Sequence, residues 1–133
     1  MAIQLSVAAR NARLDTFEST VGTSAKLQIR SGAQPANCAA AASGTLLCEI
    51  ALPSDWMAAA SSGSKALAGT WQDASADATG TAAHFRIYAT DGTTAHIQGT
   101  VGTSGTDMIV DSTSFTAGQS FSVTSFTLTA PGA

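Results

Sequence analysis

Apolar and polar residues alternate most cleanly between Ala82 and Val101, AAHFRIYATDGTTAHIQGTV. Phe85 and Ile87 alternate with His84, Arg86 and Tyr88. Beyond an Asp-Gly pair, Ala95, Ile97 and Val101 alternate with His96, Gln98 and Thr100. A period of two puts the two sets on opposite faces, so the stretch predicts an antiparallel hairpin of half-buried strands. An Asp91-Gly92 turn alone would set Ile87 opposite His96 and mix core with solvent. A longer Thr90-Asp91-Gly92 loop with Gly92 left-handed pairs Phe85 with Ile97 and Ile87 with Ala95. Face consistency selects the longer loop. The same register places His96 opposite Arg86 and His84 opposite Gln98, on a polar face expected to be surface.

A different period governs the start of the chain. Val7, Leu14, Phe17 and Val21 recur at helical spacing, with Ser6 as N-cap and Gly22 as the stop, so a helix is predicted over Ser6–Val21. Arg10 and Arg13 stand near its positive end, and Asp15 and Glu18 near its negative end, so the dipole opposes them all. Packing must hold such a helix, against its own domain or against a neighbouring subunit. Asn11 interrupts the apolar stripe.

The rest reads as short strands between turns. Leu27 and Ile29 between Lys26, Gln28 and Arg30 predict a strand, and Ser31–Gly44 a loop. Thr45–Leu52 is a strand with Leu46, Cys48, Ile50 and Leu52 on one face, and Leu47 on the other marks partial cover on both sides. Ser54-Asp55-Trp56-Met57 predicts a capped helical turn, Lys65–Trp71 a returning strand, and Asp107–Asp111 a short one. In the last strand Phe121 and Val123 keep one phase while Phe126 and Leu128 keep the other. The slip near Thr124-Ser125 predicts a bulge or a strand that changes sheets. About seven or eight such strands predict an all-β antiparallel sandwich or jelly roll over 23–133, preceded by a helical arm over 1–22.

Composition narrows the function more than the fold. Charged residues are 11% of the chain and the net charge is −3, while hydrophobic residues reach 44%. Disorder does not fit those values. The six basic residues are scattered, which argues against a nucleic-acid partner. No apolar run approaches a membrane span, and MAIQLSVAARNAR lacks the pattern of a secretory signal, so cytoplasmic synthesis is expected. Cys38 and Cys48 are read as free thiols, one in a loop and one facing the core.

Candidate chemistry is thin. His84 and His96 lack a third ligand for a metal, no G-x-S-x-G elbow or phosphate loop is present, and the acids are dispersed. Catalytic, metal and cofactor sites are therefore expected to be absent. Trp71 reads as core, and Trp56 as core or as a glycan platform.

Three stretches, LQIRSGAQPANCAAAASGTLLCEIALPSDWM, HFRIYATDGTTAHIQGTV and AGQSFSVTSFTLT, resemble small virion proteins of tailed bacteriophages. The resemblance implies a jelly-roll cement, or decoration, protein on the capsid exterior. Its partners would be the major capsid protein and copies of itself, as dimers or trimers. Arg10, Arg13, Phe17, His84, Arg86, Tyr88 and His96 are the candidate protein-contact residues. The alternative is a tail- or fibre-associated adhesion module whose loops, Gly32–Ser43 and Asp73–Gly80, meet a host receptor or glycan.

Overall fold

The computed structural model describes residues 3–131. Helix α1 spans Val7–Val21, starting where the Ser6 hydroxyl accepts from the Ala9 amide at 3.1 Å. It stops at Gly22, whose φ of 97° lies where side chains are disfavoured and whose N–H donates to the Glu18 carbonyl.

Among the described residues ten strands follow: β1 (Lys26–Arg30), β2 (Leu46–Ala51), β3 (Ser64–Ala66), β4 (Gln72–Asp73), β5 (Gly80–Thr81), β6 (His84–Tyr88), β7 (Ala95–Gly102), β8 (Met108–Val110), β9 (Ser114–Phe115) and β10 (Phe121–Thr129). One path runs β2-β1-β6-β7-β8-β10-β3, with β4 also paired to β10, and β5 and β9 form a separate ribbon. The chain is thus sheet-rich with one N-terminal helix, as its patterning predicts. The sheet is curled and mixed, however, because β7 and β8 run parallel. That departs from the wholly antiparallel pairing of the expected jelly roll.

Parallel neighbours ordinarily need a long crossover. Here the pairing is confined to Val101 with Met108 and Gly102 with Ile109. The connection folds back on itself because the Asp107 carboxylate accepts from the Thr100 amide at 2.9 Å and from its hydroxyl at 3.0 Å.

The hairpin of β6 and β7 forms, but two residues out from the predicted register. Phe85 faces Gly99, Ile87 faces Ile97, and Tyr88 faces Ala95 across a bulge. A slip of two keeps every side chain on its face, so alternation alone does not distinguish these registers. Space does. A Cβ on Gly99 would stand 2.8 Å from both Phe85 Cε1 and Asp107 Oδ2. Only glycine lets the Phe85 ring lie across β7 and meet Phe126 edge-on at 5.3 Å. The loop is correspondingly longer, closed by the Ala89 amide on the Thr94 carbonyl at 3.0 Å. Asp91 accepts from the Thr93 and Thr94 amides, and Gly92 takes the left-handed φ of 71°.

Inside the curl, Trp56, Trp71, Phe126 and Phe85 form an aromatic chain with successive centroids 6.0, 5.6 and 5.3 Å apart. Trp56 Nε1 donates to the Gly22 carbonyl, and Trp71 Nε1 to the carbonyls of Trp56 and Ala68. Both rings are core, with each N–H satisfied. The helical turn predicted at Ser54–Met57 is instead a non-helical turn at Ser54 and Asp55, and Met57 bridges Leu67. The predicted strand at Lys65–Trp71 contracts to Ser64–Ala66. In β10 the phase slip is a register shift between Val123 and Ser125. Past it the strand stays on β8 through Phe126 and takes β3 on its other edge, pairing Thr127 with Ala66.

Candidate functional site

Two regions hold the predicted contact residues. The first is α1. Of its apolar stripe, Leu14 and Val21 are buried, whereas Val7 and Phe17 are exposed by 48% and 41%. The helix docks instead through polar side chains at helical spacing. Asn11 Oδ1 accepts from the Gly63 amide at 2.9 Å, Asp15 Oδ1 from Ala60 at 3.1 Å, and Glu18 Oε2 from Met57 at 2.9 Å. Asn11, which interrupts the apolar stripe, is therefore part of the docking stripe. The acids that oppose the dipole are explained by Lys65, whose Nζ lies 2.7 Å from Asp15 Oδ1 and 3.2 Å from Glu18 Oε1.

These charges tune one another. The Lys65 hydrogen bond holds the Asp15 carboxyl below its ordinary range, aided by the Ala60 amide. Burial works against the Lys65 ammonium, but the bonds to Asp15 and Glu18 outweigh it and push its pKa up. Arg13 is exposed. Arg10 is half-buried against Gly63, and its Nε has no hydrogen-bond partner.

The second region is the polar face of the β6–β7 hairpin, and here the expectation of a surface is corrected. His84, Arg86 and Tyr88 are all buried, while His96 is half-buried. The cover is the 31–44 loop, read from sequence as open and contact-making. Asn37 Oδ1 accepts from the Ala39 and Ala40 amides, an Asx turn that holds this part of the loop in shape. The Asn37 and Ala40 carbonyls then accept from Arg86 Nη2 at 2.9 and 2.8 Å. Arg86 Nε donates to Gln98 Oε1 at 3.0 Å, and Gln98 Nε2 to the Pro35 carbonyl at 2.8 Å. Arg86 also lies 6.0 Å from the centre of the Tyr88 ring.

His84 is tied to the same loop, its Nδ1 3.0 Å from the Gly32 carbonyl. A carbonyl only accepts, so Nδ1 carries the proton, and the buried Nε2 has no partner. Burial is the main cause of the lowered His84 pKa; the Gly32 bond opposes it, and the Arg30 and Arg86 charges add to it.

Arg86 and Gln98 face each other, so the predicted pairs of His96 with Arg86 and His84 with Gln98 do not form. Among the described residues no group of three metal-ligating side chains comes together. Cys38 and Cys48 are free thiols, Cys38 half-buried and Cys48 in the core. Burial, with Asp73 and Asp77 nearby, pushes the Cys48 thiol up to about 12.

What sequence reasoning misses is the covering role of the 31–44 loop. Its signal is the presence of Arg86 and Gln98 on the hairpin's outer face, with more donors than β-pairing consumes. Among the described residues no helix is long and apolar enough to cross a membrane. No family model, curated protein or solved structure matches the chain.

Proposed function

We propose that the protein is a structural component of a tailed-bacteriophage virion, a cement protein bound to the outside of the capsid shell. The observation that carries this reading is the distribution of exposed apolar side chains. Among the described residues the large ones are Ile3, Val7 and Phe17, at 84, 48 and 41% exposure, all in the arm and helix. Elsewhere the apolar residues are spent on the core, and the low charge leaves few ions to desolvate in a contact. The occupant of the arm and helix surface is the major capsid protein, with further copies of the chain beside it as dimers or trimers. Many such contacts on a symmetric shell add up through multivalency.

On this reading the curled sheet is a modified jelly roll whose β7–β8 pair has become parallel. A glycan-binding adhesion module is less well supported, since both tryptophans are in the core with their N–H groups satisfied.

The test replaces the exposed side chains and leaves Leu14 and Val21, which the fold needs. Val7→Ser with Phe17→Ser should fold normally and bind purified particles less well than the parent chain. Full occupancy by the double variant would reject the role of the helix. A copy number in particles set by the tail rather than by the shell would reject the cement reading.

A further inference from the structure

The outer face of the β2-β1-β6-β7 stretch is cationic. Lys26, Gln28 and Arg30 stand opposite Tyr88, Arg86 and His84, so alternate residues bring Lys26, Arg30 and Arg86 to one side of the sheet. Those are half of the basic residues of a chain whose net charge is −3. The carboxylate paired into this face is Glu49, which accepts from Gln28 Nε2 at 2.8 Å. Among the described residues neither Arg30 nor Arg86 forms an ion pair; the pairs present belong to Lys65.

A cavity of about 330 Å³ lies between this face and the 31–44 loop. One wall is polar, with Gln28, Arg30, Arg86 and Tyr88; another is Cys38 and Ala39–Ala42, and Gly92 and Thr93 complete the lining. Both guanidinium groups keep donors there, although Arg86 spends Nε on Gln98 and Nη2 on the Asn37 and Ala40 carbonyls. Arg30 spends Nε and Nη2 on a single acceptor, Gln28 Oε1, and its Nη1 has only a 3.4 Å contact with the Gly44 carbonyl. Arg86 is 2% exposed, and its Nη1 has only a 3.4 Å contact with the Tyr88 hydroxyl. A guanidinium has five N–H donors and no acceptor, and its strongest partners are oxyanions.

We propose that this cavity takes a carboxylate on a short apolar stem, with the carboxylate at Arg30 and Arg86 and the stem against the alanines. The volume is at the small end of ligand pockets, roughly 300 to 1,000 Å³. An inorganic oxyanion matches the polar wall but leaves the alanine wall unused. The carboxylate comes either from a free short-chain acid or from a Glu side chain of a protein partner. His84, in the same layer, reports occupancy: an anion that offsets the Arg30 and Arg86 charges raises the His84 pKa.

The experiment is a nuclear magnetic resonance titration of the full chain with butyrate, butyramide and inorganic phosphate. Butyrate should give saturable shifts at residues 39–42 and raise the His84 pKa, butyramide should do neither, and phosphate should act on His84 only at higher concentration. Arg30→Gln should weaken butyrate binding at least roughly tenfold, as for a lost charged hydrogen bond, and Arg30→Lys should fall between. A capped Ala-Glu-Ala peptide separates the sources: tighter binding than butyrate assigns the carboxylate to a protein, weaker binding to a free acid, and either supports the site. No saturation by butyrate, equal binding of butyramide or phosphate, or unchanged affinity in Arg30→Gln would overturn it. Should Arg30→Gln not fold, the comparison of butyrate with butyramide on the parent chain decides the matter.

Discussion

The Lys65 ammonium lies 2.7 Å from Asp15 Oδ1, joining β3 to a helix fifty positions earlier, although the Lys65 side chain is only 2% exposed. A third bond, to the Ala58 carbonyl at 3.0 Å, completes its shell. The helix is thereby held by a buried cation reaching outward to acids at its rim. The alternative, an apolar face sunk into the core, uses only Leu14 and Val21.

Lys65→Ala should cost about 2 kcal/mol, the scale of hydrogen bonds to a charged group, and should loosen α1 before the sheet. Because the Lys65 pKa is raised above 10.5, its contribution is complete below that value and is lost as pH rises through the folded pKa. Asp15 works in the opposite direction: its contribution is present above 3.8 and is lost as pH falls through its depressed folded value. Hydrogen exchange across α1 as a function of pH checks both limbs. Uniform protection in the variant would refute the tie.

His84 governs a separate window. Its folded pKa is below 6.5, so the unfolded chain binds the proton more readily, and stability rises with pH in this range. The contribution is complete above 6.5 and declines as pH falls through the folded value. Urea midpoints between neutral and mildly acid pH should show this decline in the parent chain and a flatter profile in His84→Gln.

Arg86→Leu should release the 31–44 loop. It removes the donors to the Asn37 and Ala40 carbonyls and to Gln98, so a destabilisation of about 2 kcal/mol is expected. Limited proteolysis should then cut within 33–43 while the sheet stays intact. A loop as resistant as in the parent chain would show that Arg86 is not its clamp.

Gly99→Ala places a Cβ 2.8 Å from Phe85 Cε1 and Asp107 Oδ2, and overpacking of that kind costs about 1–3 kcal/mol. A denaturation midpoint equal to that of the parent chain would count against the Phe85–Gly99 register.

The two thiols should differ sharply. Cys38 is half-buried in the loop, while Cys48 is in the core with its pKa pushed up to about 12. Iodoacetamide at mildly alkaline pH should modify Cys38 alone in the folded chain and both after unfolding, which mass spectrometry resolves.

Local rules are legible in the chain itself. Ser6 and Gly22 bound the helix because capping depends on neighbours within a turn, and β1 and β2 follow from alternation over five or six residues. Even the bulge in β10 is written as a phase slip, since a strand has a period of two whatever it pairs with. Tertiary structure decided what alternation leaves degenerate. A shift of two residues preserves every face, so the hairpin register rested on the room that Gly99 leaves for Phe85 and Asp107. The polar face of His84, Arg86 and Tyr88 became interior because a loop separated from it by more than forty positions supplied carbonyls to a guanidinium. Hydrophobic periodicity reports which side of a strand differs from the other. Whether the polar side meets water or a hydrogen-bonding cover depends on contacts distant in sequence, and only the folded chain contains them.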